Sequence, residues 1–233
     1  MGKTSALLFA VSIVGLSGGA ANAHVSVVGG TGFANQTQEI KFGVGHGCAG
    51  VDTLSVRVEI PAGVTSVRAI GSTLGAPTVE LNDAGVVTAV TWQKPTSALV
   101  EGDPNYYTVS IRAKLPDAPF STLYFPTRQI CSTPSGVKSP PVDWSAIGEP
   151  VDAGADEPAP SLLLLPARSP GWNKYLVPKP LANLKAAFGD AQIVWRGTAA
   201  FSANAATTEL ISATSGVTAL TALAAGDIVW VRY

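Results

Sequence analysis

From residue 24 onward, apolar and polar residues alternate in short runs separated by turn residues. His24-Val-Ser-Val-Val28 alternates and predicts a strand starting at its first residue. Gly29-Gly30-Thr31-Gly32 reads as a turn, and Gln38 to Val44 resumes the alternation. Leu54 to Ile60 is the clearest strand. Leu54, Val56, Val58 and Ile60 fall on one face and Ser55, Arg57 and Glu59 on the other, the period of two of a half-buried strand. Residues 64–70, 78–81, 86–92 and 106–113 predict further strands, with Asn82-Asp83-Ala84-Gly85 as a turn, and Leu123-Tyr124-Phe125 leads through Pro126 to Cys131. Short strands spaced by turn signals indicate an antiparallel sandwich, built here from residues 24 to about 148.

The pattern then changes. Gly148 to Pro160 is acidic and rich in proline and small residues, and reads as an extended crossing segment. Ser161 to Leu165 is apolar but brief, bracketed by Pro160 and Pro166. Beyond Pro170 a helical period emerges. Pro180 to Phe188 places Leu181, Leu184, Ala187 and Phe188 on one face, with proline at the start. Residues 192–195, 217–220 and 227–233 predict strands and 205–213 a second short helix, giving a small α+β module. Its aromatic residues Trp172, Tyr175, Trp195, Trp230 and Tyr233 read as core and interface. The expected organisation is a leader over 1–23, a β-sandwich domain over 24–166 and the module over 167–233.

Composition sharpens this picture. Gly 24, Pro 17 and only 13% charged residues favour a turn-rich, mainly β body. Residues 1–23 have the form of a signal peptide: Lys3 is the basic start, Ala6 to Leu16 an apolar run too short to span a bilayer, and Ala21-Asn22-Ala23 the small-residue cleavage site. The alternative is an uncleaved anchor, which leaves His24 internal. No other stretch reads as transmembrane, so the mature chain is expected to be exported, periplasmic or secreted, without a membrane anchor. Losing Lys3 with the leader takes the formal charge from −1 to −2, which is no footprint for nucleic acid. Cys48 and Cys131 are the two cysteines, and an oxidising compartment favours their disulfide. Their separation of 83 residues makes that link worth about 4–5 kcal/mol in the chain-entropy model. A copper thiolate site is the competing use, set back by the preference of thiolates for Cu(I).

The candidate chemistry rests on the two histidines of the chain, His24 and His46. Cleavage after Ala23 makes His24 the first residue. An N-terminal histidine offers its α-amino nitrogen and Nδ1 together, and the two close one ring on a metal. The amine titrates near pH ~8, so a metal displaces its proton at neutral pH. Cu(II) prefers such tetragonal nitrogen ligation. His46 lies in Gly45-His46-Gly47-Cys48, where flanking glycines let the backbone approach closely. An N-terminal strand and this loop can share one end of a sandwich, giving three nitrogens in a histidine brace. The other reading of His46 is a loop histidine bonded to backbone carbonyls.

Several motifs in order, Ala23-His24-Val25, Gly45-His46-Gly47-Cys48-Ala49-Gly50 before Leu54-Ser-Val-Arg-Val-Glu-Ile-Pro-Ala-Gly-Val64, then Val90-Thr-Trp92, Leu123-Tyr-Phe-Pro-Thr-Arg-Gln-Ile-Cys131, Trp144 and Glu157-Pro-Ala-Pro160, resemble the YcnI-like copper-binding domain family over residues 24 to roughly 165. The resemblance implies a cupredoxin- or Ig-like β-sandwich and one Cu(II) per chain, held by the amine and ring of His24. It also implies a tryptophan near the metal, matched by Trp144, which would shield the copper or supply a redox-active ring. Some members carry an acidic residue at the loop position occupied here by His46, which departs from that pattern and is taken as the second ligand. Asp143 and Glu157 are acidic candidates for an axial or outer role. Many members end in a membrane anchor where this chain has its module.

The expected function is a non-enzymatic Cu(II)-binding protein of periplasmic copper trafficking or buffering, with the copper ion and another copper-handling periplasmic protein as partners. A brace-type copper monooxygenase and a metal-independent Ig-like adhesion or assembly module are the alternatives, since one fold hosts many functions.

Overall fold

The computed structural model describes residues 24–48, 50–148 and 157–233; the leader expected over 1–23 and most of the acidic crossing segment lie outside the described residues. Among the described residues, seventeen strands and two α-helices follow one another. The first eight strands are β1 (Val25–Val27), β2 (Thr31–Phe33), β3 (Thr37–Val44), β4 (Thr53–Glu59), β5 (Thr65–Ile70), β6 (Thr78–Leu81), β7 (Val87–Gln93) and β8 (Tyr107–Lys114). They are followed by β9 (Thr122–Tyr124), β10 (Thr127–Cys131), β11 (Val142–Trp144), β12 (Ser161–Leu165) and β13 (Trp172–Leu176). Helix α1 (Leu184–Phe188), β14 (Ile193–Arg196), β15 (Ala199–Phe201), α2 (Ala205–Ala213), β16 (Thr218–Ala219) and β17 (Ile228–Arg232) complete the chain.

Two antiparallel sheets form the sandwich, one in the order β1-β3-β8-β5 and the other β11-β10-β4-β7-β6. The alternation read in the sequence decides which side chains lie between them. In β4, Val56 and Val58 are fully buried, while Arg57 turns outward to Glu59 at 2.7 Å and Glu80 at 2.8 Å. Phe42, Val109 and Ile111 of the first sheet face Val56, Val58, Val90 and Trp92 of the second in one core. Full burial of each such side chain is worth about 1.5–3 kcal/mol. Trp92 carries a polar atom into this core and satisfies it by donating Nε1–H to the Ile70 carbonyl at 2.7 Å.

The β2-β12-β9 sheet departs from the expected turn and makes a strand of the brief apolar run Ser161–Leu165. Gly29 and Gly30 do turn, with φ of 91° and 65°, but Thr31-Gly32-Phe33 then pairs in parallel with Leu163-Leu164-Leu165. Gly32 serves packing rather than turning: a Cβ there would stand 2.7 Å from Gln38 Nε2 and 2.9 Å from Leu115. β12 is apolar on both sides because it has two cores to serve. Leu162 and Leu164 enter the sandwich core, while Leu163 and Leu165 pack with the second core beyond it.

That second core lies under the β13-β17-β14-β15-β16 sheet and α1, around Phe120, Val177, Leu184, Phe188, Val229 and Val231. The helix expected from Pro180 begins at Leu184. The Asn183 side chain accepts the Ala186 N–H at 3.0 Å and caps it, while Leu181 exchanges both backbone hydrogen bonds with Leu223. Helix α2 has the expected bounds and is capped by Asn204. β13 and β15 were not foreseen. Tyr175 and Tyr233 pack against the second core, but Trp172 and Trp230 are about half exposed, at 50% and 49%, rather than core residues.

Candidate functional site

The candidate site lies at one open edge of the sandwich. β1 is an edge strand of the first sheet and β11 an edge strand of the second. His24 immediately precedes β1 and Trp144 ends β11. Their rings meet edge to face, with centroids 5.3 Å apart and planes at 63°. Val25 pairs with Val44, so continuing the antiparallel register by one residue sets His24 level with Gly45, next to His46. His24 lies outside the strand proper, so its ring is not committed to the outer side that Ser26 takes.

Gln129 joins the two sides of this edge. It is 1% exposed on β10, and its amide is bonded at both ends. Nε2 donates to the His46 carbonyl at 2.8 Å and to Thr53 Oγ1 at 2.9 Å, and Oε1 accepts Trp144 Nε1–H at 3.3 Å. The backbone at His46 and the indole that touches His24 are therefore held by one buried side chain. The Cys48–Cys131 disulfide, with Cα atoms 5.7 Å apart, ties the same loop to β10 two residues further on. No cysteine among the described residues remains a thiol, which removes the copper thiolate alternative.

The loop has two further supports. Gly47 N–H donates to Asp103 Oδ2, whose other oxygen is buried without a hydrogen-bond partner among the described residues. A Cβ on Gly47 would stand 1.8 Å from the Val51 carbonyl oxygen and 3.3 Å from Asp103 Cγ, so only glycine fits. Below lies a buried charge network. Asp52 is fully buried and accepts from Lys94 Nζ at 2.7 Å, Tyr107 Oη at 2.8 Å and the Val100 N–H at 2.9 Å. Burial pushes the Asp52 carboxyl up, but the hydrogen bonds from Lys94, Val100 and Tyr107 and the Lys94 charge outweigh it and hold the group below its ordinary value. The Val100 bond starts the segment that delivers Asp103 to Gly47.

His46 is partly buried, with Nδ1 2.6 Å from the Gly47 carbonyl. A carbonyl only accepts, so Nδ1 is the donor in this contact, and in a neutral ring Nε2 is then the accepting nitrogen. The donor chemistry fits a small nitrogen-ligated cation: two imidazoles on one edge, with an amine added if the chain starts at His24. Among the described residues no group of three or more His, Cys, Asp or Glu side chains is placed to hold a metal. The acidic candidates lie elsewhere. Asp143 faces outward and holds Arg128 through two bonds of 2.7 and 2.8 Å, which, with the Arg128 charge, keep its carboxyl below the usual range. The exposed Glu157 comes near only by backbone, accepting the Ser145 and Ala146 N–H groups. The acid that supports the His46 loop is Asp103, and the polar hub is Gln129. Neither was singled out in the sequence, although Gln129 stands at an inward position between the buried Thr127 and Cys131.

Comparison with curated proteins gives no match. Among solved structures, an uncharacterized protein from Nocardia farcinica, described as having an immunoglobulin-like fold, is similar at 24% identity over 61% of this chain and 98% of its own, with a TM-score of 0.48. The sandwich assignment here rests on the two antiparallel sheets themselves. Residues 24–164, more than half of the chain, match the model of a family described as a domain of unknown function, DUF1775, and the chain belongs to that family.

Proposed function

We propose that the mature chain is an exported Cu(II)-binding protein that takes one copper ion per chain in a histidine brace and serves periplasmic copper trafficking or buffering rather than catalysis. The YcnI-like resemblance supplies the metal. The observation that carries the reading is the His24–Trp144 ring contact, joined through Gln129 to the backbone of His46. His24 would bind through its amine and Nδ1, and His46 through Nε2. Trp144, 5% exposed, would cover one side of the ion. That cover supports a binding role over an oxidase that presents copper to a bulky substrate, and copper is then the cargo passed to a copper-handling partner.

The test is a Cu(II) titration followed by EPR on the chain processed to begin at His24. One equivalent bound with a nitrogen-rich tetragonal signal is expected. One extra residue ahead of His24 should abolish tight binding, because the amine becomes a peptide nitrogen. His46→Ala should weaken binding and change the spectrum. Unchanged affinity in the extended chain would overturn the brace, and a wild-type spectrum in His46→Ala would remove His46 from it.

A further inference from the structure

Charge is divided unevenly along the chain. Residues 24–166 carry thirteen Asp or Glu against eight Lys or Arg, whereas residues 167–233 carry six Lys or Arg against three Asp or Glu. Two of those three acids are already engaged, Asp190 with Arg168 and Asp227 with Arg196. The surplus positive charge includes the outer face of the fourth sheet. There β13 and β17 pair Trp172 with Arg232, Lys174 with Trp230 and Leu176 with Ile228. All six side chains point away from the second core, as the alternating burial of both strands requires. Leu176 is 64% exposed, and Lys174 Nζ lies 5.7 Å from the centre of the Trp230 ring. The three pairs carry two cations and no acid.

A flat face mixing tryptophan, aliphatic residues and cations lacks the concavity of a small-molecule pocket. Its chemistry suits a bilayer surface, where indoles seat at the headgroup level, aliphatic tips enter the acyl boundary and Lys and Arg meet anionic headgroups. We propose that the β13–β17 face docks peripherally on an anionic lipid surface, with Trp172, Leu176, Ile228 and Trp230 entering the interface and Lys174 and Arg232 supplying the attraction. The acidic sandwich is repelled by such a surface, so charge alone orients the molecule module-first. No helix among the described residues is long and apolar enough to cross a membrane, and docking by this face needs none. The inference is independent of copper.

The test is co-sedimentation of the chain beginning at His24 with vesicles of phosphatidylcholine containing one third phosphatidylglycerol. Binding to these vesicles, little binding to phosphatidylcholine alone, and loss in high salt are expected. Lys174→Gln with Arg232→Gln should weaken binding about 25-fold, taking about fivefold for each cation at the surface. Lipids brominated on the acyl chain should quench wild-type tryptophan emission more than that of Trp230→Phe, a readout that loss of charge alone would not move. Absence of binding to the anionic vesicles, or equal binding by the double variant, would overturn the proposal. A concentration-dependent dimer that dissociates in the double variant would also overturn it, by assigning the face to a second copy of the chain.

Discussion

Asp52→Asn offers the most direct test of how the site is supported. The substitution keeps the side-chain shape and removes the charge that faces Lys94, which is 3% exposed and bonded to Asp52 and the Tyr107 hydroxyl. Removing one partner of a buried pair leaves the other charge uncompensated and costs about 3–5 kcal/mol. Domain stabilities run to about 5–15 kcal/mol, so the loss is a large fraction of the whole. Replacing both partners, Asp52→Asn with Lys94→Met, should recover about 2 kcal/mol or more of the single-variant loss, because no buried charge is then stranded. Urea denaturation at neutral pH, followed by circular dichroism, measures all three variants. The acid dependence has a definite sign. The folded Asp52 carboxyl is held below its ordinary value, so its contribution is complete above the unfolded carboxylate range and fades as pH falls through the depressed folded value. The gap between wild type and Asp52→Asn should therefore narrow below about pH 4. A single-variant cost under about 1 kcal/mol, or strictly additive losses in the double variant, would refute the buried-pair argument.

Three other perturbations bear on the same loop. Gly47→Ala forces a Cβ to within 1.8 Å of the Val51 carbonyl oxygen, so the loop must move; urea denaturation should show a loss of about 1–3 kcal/mol, and Cu(II) titration a weaker site. Cys48→Ser with Cys131→Ser opens an 83-residue link, and the urea midpoint should report a loss of about 4 kcal/mol, mimicked by reductant on the wild type. Gln129→Leu strands the Trp144 Nε1–H, Thr53 Oγ1 and the His46 carbonyl; a destabilisation of about 2–4 kcal/mol is expected, with a shift in tryptophan emission that a purely distant effect would not produce.

The fold was legible where the burial period matched the strand period. β3, β4, β7 and β8 alternate over part of their length, Val56-Arg57-Val58-Glu59 of β4 for example, and their expected bounds lie within a residue of the observed ones, although Thr53 and Ser55 of β4 are buried on the face expected to be polar. The sequence misled where a segment serves two masters. β12 is apolar on both sides because separate cores claim its alternate residues, so it looked like a short apolar insert. Gly32 looked like a turn residue and is instead a point of close packing inside β2. The histidines were visible as residues but their relation was not: it depends on the Val25–Val44 register and on Gln129, whose inward position in β10 is its one mark as polar machinery. Asp103 was invisible for the same reason, since bonds on either side of it, Val100 to Asp52 and Asn105 to Tyr107, hold its segment beside Gly47.

The two halves of the proposed donor set rest on different supports. His24 depends on β1 pairing with β3 inside the first sheet and on the edge contact with Trp144. His46 follows β3, but its loop is fastened to the second sheet by Gln129 and the disulfide, and from beneath by Asp103 and the Asp52 network. Preorganised donors bind with less ordering cost, so in the proposed site the loop's fastenings would matter to affinity without touching the ion. The consequence is an ordered failure. If the proposed brace holds, loosening the loop should remove the His46 nitrogen first and leave the amine and ring of His24 against Trp144, a weaker site with fewer nitrogens in its spectrum. Blocking the amine should remove the chelate ring and leave two separate imidazoles. A site assembled from adventitious surface histidines would show no such distinction, because neither imidazole would depend on Gln129 or on the disulfide.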